Sequence, residues 1–119
     1  MIVGKHTIAN LININNNNIE DVEYVKNILI MSAKEANLHV VDTIFHKFEP
    51  VGVSGVLVLA ESHLTIHTWP EYNFVAIDAF TCGKTMQPEE VCKIIANKIN
   101  AEIESMLTFD RGFKEDLYE

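Results

Sequence analysis

Apolar and polar positions along the chain mark out helices and strands before any composition is counted. Ile19, Val22, Val25, Leu29, Ala33 and Ala36 recur at spacings of three and four, which predicts one buried face of a helix over residues 19–37. Glu20, Asp21 and Glu23 fall in its first turn, where carboxylates oppose the helix dipole. Pro88 followed by Glu89 and Glu90 predicts a second helix start, with Val91, Ile94, Ile95 and Ile99 as its buried stripe. Residues 4–12, 39–48, 53–60, 63–69, 73–81 and 102–110 read as strands. They are separated by turn sequences: the Asn-rich stretch 13–18, Glu49 to Gly52, and Pro70-Glu71-Tyr72. The tail from Gly112 is charged and reads as loose. The order β-α-β-β-β-β-α-β predicts a single α+β domain, a two-layer sandwich with a mostly antiparallel sheet and two helices on one face. VSGVLVLA at 53–60 is almost continuously apolar, the pattern of a strand covered on both faces. With both helices on one side, the other side of the sheet needs a cover, most simply an identical chain. A homodimer formed through the sheet is therefore expected.

Composition narrows the function classes. A chain of 119 residues is long enough for one self-sufficient core. Its net charge of −8 and nine scattered basic residues argue against a nucleic-acid partner, since phosphate contacts need clustered Lys and Arg. Two cysteines make no disulfide framework and suggest a reducing compartment. The first residues lack the charged start and long apolar stretch of a signal peptide. No apolar run approaches the ~20 residues that span a bilayer. A soluble cytoplasmic protein with no membrane partner is the expectation.

Candidate chemistry concentrates in AESHLTIHTWPE, residues 60–71. His63 and His67 have a metal-ligand spacing only on a helix; on the expected strand, four steps part them by roughly 13 Å. No metal site is expected. Ser62 and His67 suggest a nucleophile and a base, but no nucleophile elbow is present. Five strand steps would hold the two roughly 16 Å apart on opposite faces. If they cooperate, His67 comes from another chain or the strand bends sharply. Taken singly, each residue also has a plain structural reading: His67 as a hydrogen-bonded sheet histidine, Cys82 as a small buried thiol, Phe48 and Trp69 as core aromatics. Trp69 beside Pro70 could instead offer a flat face to a planar ligand, and Glu71 could bind hydroxyls or a cation. Cys92, inside the second helix, reads as structural.

Together with HKF at 46–48, GVSGV at 52–56, FTCG at 80–83 and the opening GKH, this stretch closely resembles the prokaryotic S-adenosylmethionine decarboxylase proenzymes. The resemblance covers nearly the whole chain; Asn73 and Phe74 stand where Gly and Tyr would be expected, and Asn suits a turn that favours Gly. It implies self-cleavage between Glu61 and Ser62 into a β chain (1–61) and an α chain (62–119). The Ser62 hydroxyl would add to the Glu61 carbonyl, converting the peptide bond to an ester. Loss of the Ser62 α-proton would then expel the Glu61 carboxylate, and hydrolysis with release of ammonia would leave a pyruvoyl group at residue 62. His67 is implied as the proton acceptor in processing, assisted by Ser54, and Cys82 as the proton donor in catalysis. The implied cofactor is that pyruvoyl group, which forms a Schiff base with the substrate and needs no metal or pyridoxal phosphate. Phe48 and Trp69 would stack on the adenine and Glu71 would take the ribose hydroxyls. The implied product is the aminopropyl donor for spermidine synthesis. The implied assembly is a dimer of αβ units with active sites at the interface. The same machinery would serve a pyruvoyl-dependent arginine decarboxylase; a non-catalytic ligand-binding module is the reading outside enzymology.

Overall fold

Asp21 stops a 3-10 turn (Asn17–Glu20) from running into the first helix, and its side chain is the reason. The carboxylate accepts the backbone N–H of Glu23 at 2.9 Å and of Tyr24 at 3.3 Å, an N-cap for α1 (Val22–Glu35). The expected helix over 19–37 is thus two pieces. The computed structural model describes residues 2–15, 17–82 and 87–113. The Gly turn expected after Cys82, and the tail beyond Phe113, lie outside them.

Among these residues the strands β1 (Ile2–Ile12), β2 (Val40–Lys47), β3 (Val53–Leu59), β4 (Ser62–Trp69), β5 (Phe74–Cys82) and β6 (Glu102–Phe113) form one sheet. Its order is β2-β3-β4-β5-β1-β6, and every neighbouring pair is antiparallel. The second helix, α2 (Pro88–Lys98), begins at the expected proline. β6 runs further than expected because β1 begins at Ile2 and Ile2 pairs with Phe113. Gly112 and Phe113 therefore belong to the sheet and not to a loose tail. Asn73 closes the turn before β5 with φ 53° and ψ 48°, the left-handed geometry that a glycine would otherwise supply.

Both helices lie on one face, as the two-layer reading required. Leu29 and Ala33 of α1 and Val91, Cys92 and Ile95 of α2 are fully buried against Leu11, Val53, Leu57, Leu64, Val75 and Ile77 of the sheet. Within one chain, β3 is covered on that face alone: Val53, Gly55, Leu57 and Leu59 are buried, while Val58 is exposed. The open face carries Ile8, Ile44, Leu107 and Phe109 in the light, Ile44 at 65% exposure and Leu107 at 56%. Gly55 has a packing reason. A Cβ there would come within 2.1 Å of the Phe45 ring, which lies across it from β2.

Candidate active site

The β3–β4 hairpin holds the Glu61–Ser62 junction, and Glu61 is gripped at both ends. Its backbone carbonyl accepts two hydrogen bonds from Cys82, one from the backbone N–H at 3.0 Å and one from the thiol at 3.0 Å. Its carboxylate accepts the His39 backbone N–H at 3.0 Å and pairs with His39 Nδ1 at 2.7 Å. Burial works to raise the Glu61 pKa, but the His39 hydrogen bonds and charge outweigh it and leave the carboxyl below its ordinary value. Ser62 has φ 155°, outside the range comfortable for an L-residue. It pairs with Leu59 on one side and Thr81 on the other, which sets it beside the end of β5 and Cys82. A cavity of about 530 Å³ opens here, lined in part by Glu35, Glu61 and Glu90 with His39 and Cys82. Of these carboxylates, Glu35 is paired with Lys98 and Glu61 with His39.

A second group forms at the other end of β4, on the open face. Ser54 of β3 and His67 of β4 are cross-strand partners, and Ser54 Oγ meets His67 Nδ1 at 2.5 Å. Aromatic rings surround that imidazole: Phe48 at 5.5 Å and Trp69 at 3.9 Å between centroids. His46 packs on Phe48 at 4.6 Å and Phe74 on Trp69 at 5.4 Å. Phe48 is 40% exposed, and Glu71 is exposed in the 3-10 turn (Pro70–Tyr72) that follows Trp69. The arrangement offers a flat apolar surface, a base oriented by a hydroxyl, and a carboxylate at the rim.

The site residues expected from the sequence therefore fall into two groups in one chain. Glu61, Ser62 and Cys82 form the first; Ser54, His67, Phe48 and Trp69, with Glu71 beyond, form the second. β4 is regular from Ser62 to Trp69, with no bulge against either neighbour. Five steps along such a strand span ~16 Å, so Ser62 and His67 do not meet within the chain.

The sequence assigned no site role to His39 or Phe74 and did not gather a third cluster on the open face. There His6 Nε2 pairs with Asp78 at 3.0 Å, His6 Nδ1 with Arg111 at 2.9 Å, and His63 and Phe80 pack alongside at 6.1 and 5.4 Å from the His6 ring. Burial first, then the neighbouring His6, holds the His63 pKa below its ordinary value, against the pull of Asp78. Strand parity and pairing would have gathered this cluster; His39, the first residue of the strand expected over 39–48, lies just before β2, where parity says nothing of its partner.

Residues 5–112 match the family model for S-adenosylmethionine decarboxylase. The chain is 47% identical over 110 residues to the S-adenosylmethionine decarboxylase proenzyme of Thermodesulfovibrio yellowstonii, covering 92% of this chain and 82% of that one. It is 40% identical to the protein of the same name from Clostridium tetani, covering 95% and 90%. The crystal structure of the adenosylmethionine decarboxylase from Aquifex aeolicus superposes with a TM-score of 0.86 at 32% identity, over 94% of this chain and 92% of that one. With a match across nearly its whole length in sequence and in fold, the chain belongs to the S-adenosylmethionine decarboxylase family.

Proposed function

We propose that the protein cleaves itself between Glu61 and Ser62 and then decarboxylates S-adenosylmethionine. One observation carries the first half: the Glu61 carbonyl lies between two donors of Cys82, next to a serine with strained backbone. Attack by the Ser62 hydroxyl turns that carbonyl oxygen into an oxyanion, and two donors aimed at it stabilise the charge as it forms. The strain at φ 155° disappears once residue 62 no longer has an amide nitrogen in the chain, which favours the cut. These residues fit the formation of a pyruvoyl group. When formed, it supplies the electron sink for loss of carbon dioxide.

The other group completes the cleavage and serves the decarboxylation. His67 accepts the Ser62 α-proton; for Nε2 to be the accepting atom, Nδ1 carries a proton and donates it to Ser54 Oγ. Phe48 and Trp69 stack on the adenine, and a sulfonium cation gains from their π faces. Glu71 takes the ribose hydroxyls. Cys82, released from the Glu61 carbonyl, returns a proton to the substrate α-carbon.

A two-fold dimer through the open face supplies what one chain lacks. In an isologous contact the Ser62 group of one protomer meets the His67 group of its partner, and the reverse holds at the second site. The exposed Ile8, Ile44, Leu107 and Phe109 are the apolar surface such a contact covers. Among the described residues no helix is long and apolar enough to cross a membrane. Cys82 and Cys92 are free thiols, which fits the cytoplasm. The arginine decarboxylase and the non-catalytic module are not favoured, because relatives at up to 47% identity over most of the chain carry the S-adenosylmethionine decarboxylase name.

A denaturing mass spectrum tests the processing half. The expected result is two fragments, the C-terminal one starting at residue 62 and lighter by one ammonia than the serine form. Release of carbon dioxide from S-adenosylmethionine and not from arginine tests the substrate. An intact 13.5 kDa chain with no turnover would overturn the reading.

A further inference from the structure

Three hydrogen bonds tie His39 to the hairpin that carries the scissile bond. Ala60 N–H donates to the His39 carbonyl at 2.8 Å, His39 N–H donates to Glu61 Oε1 at 3.0 Å, and His39 Nδ1 meets Glu61 Oε2 at 2.7 Å. Only the last uses the imidazole. His39 stands just before β2, on a different segment from the hairpin, and its side chain is 76% exposed while that of Glu61 is 22% exposed.

We propose that His39 is a positioning residue for self-cleavage, acting through the Glu61 side chain. The inference rests on the self-cleavage reading above. The bond that breaks is the Glu61 carbonyl carbon to Ser62 nitrogen, and the bond that forms is from that carbon to Ser62 Oγ; the hydroxyl proton ends on the nitrogen. With the carboxylate held by His39 and the carbonyl held by Cys82, the acyl carbon is fixed from both sides while the serine moves onto it. The later step adds a charge requirement. When the ester breaks by elimination, the Glu61 α-carboxylate leaves, so a second negative charge develops on a residue that already carries one. Glu90 lines the same cavity and opposes that charge, while Glu35, also in its lining, is paired with Lys98. His39 lines the same cavity and is already in contact with the Glu61 carboxylate, where an Nδ1–H can donate to it.

The test is the rate of cleavage of freshly folded proenzyme, followed by denaturing electrophoresis and mass, in a series at one position. His39→Ala is expected to cut about fivefold to tenfold more slowly, the scale of one charge-assisted hydrogen bond from an exposed donor. Asn and Asp have the same shape, and only Asn can donate where Nδ1 does. His39→Asn should recover most of the rate, and His39→Asp should fall below His39→Ala. In a His67→Ala background, where elimination is blocked, the fraction cut by hydroxylamine reports the ester; adding His39→Ala should lower it. A His39 series that cuts at the wild-type rate, or Asn and Asp variants that cut alike, would overturn the proposal. If His39→Ala does not fold by circular dichroism, the Asn and Asp pair decides. A wild-type chain that cuts while Ser62→Ala does not keeps the self-cleavage reading whatever the His39 series does. A wild-type chain that never cuts sinks both.

Discussion

Co-expressing a Ser62→Ala chain with a His67→Ala chain asks which protomer supplies the base. The structure sets the scale of the answer. β4 pairs without interruption from Ser62 to Trp69, so the rise of ~3.3 Å per residue separates residues 62 and 67 by ~16 Å. A general base must come within about 3 Å of the proton it takes. Bending β4 to close that gap would break its ladders with β3 and β5 in the middle of the core, where Leu64 and Ile66 are buried. A base from the partner needs no such rupture. Alone, each variant should stay whole. Mixed at random in equal amounts, about half of the dimers contain one chain of each kind. In those, the intact Ser62 of the His67→Ala chain faces the intact His67 of the other, so about half of the His67→Ala chains should be cut by the two-fold geometry. Different affinity tags identify the mixed dimers, and a denaturing mass spectrum counts the fragments. Purified mixed dimers that remain uncut, or a His67→Ala chain that cuts by itself, would refute the assignment.

Ser54→Ala removes the hydroxyl at 2.5 Å from His67 and should slow cleavage by about tenfold, while Ser54→Thr retains it; a time course of fragment formation separates the two. Cys82→Ser keeps a donor for the Glu61 carbonyl, so cleavage should survive, but protonation should misfire and the C-terminal fragment should gain an alanine N-terminus with turnover, visible by mass. Gly55→Ala drives a Cβ to 2.1 Å from the Phe45 ring and should cost about 1–3 kcal/mol in thermal unfolding, with partial recovery in Gly55→Ala with Phe45→Leu. Burial first, then Glu89 and Asp78, pushes the Cys92 thiol from its ordinary 9.0 up to about 12. The folded state therefore favours the neutral thiol, and its contribution is whole below pH 9 and lost as pH rises towards 12, at ~1.4 kcal/mol per unit. Denaturant unfolding between pH 9 and 11 should show that slope in the wild type and lose it in Cys92→Ala.

Local pattern carried most of the fold. The three- and four-residue spacing of Val22, Val25, Leu29 and Ala33 and the Pro88 start are properties of a few neighbouring residues, and both survive in the structure. The length of β6 was not legible, since Phe113 joins the sheet only because Ile2 is there to pair with it. The site divides in the same way. Strand geometry alone separated Ser62 from His67, and the regular ladder of β4 upholds that separation. The Ser54–His67 bond follows from a register that no short stretch encodes, although both residues had been singled out by family resemblance. His39 reaches Glu61 across 22 positions, with β2 and β3 between them, and nothing in its neighbours announces it.

A cut after Glu61 would divide the sheet between two polypeptides. The N-terminal piece keeps β1, β2 and β3, and the C-terminal piece keeps β4, β5 and β6. In the order β2-β3-β4-β5-β1-β6, β1 lies between β5 and β6, so each piece holds a strand or a pair that the other encloses. The pieces are interlaced, and separating them means tearing three strand interfaces, β3–β4, β5–β1 and β1–β6. Before the cut, refolding is a first-order event within one chain. Afterwards it needs two fragments to find each other in dilute solution, so recovery becomes concentration-dependent while the unfolding step does not. The durability of the mature protein would then be a matter of rate, set by how slowly the interlaced sheet first opens.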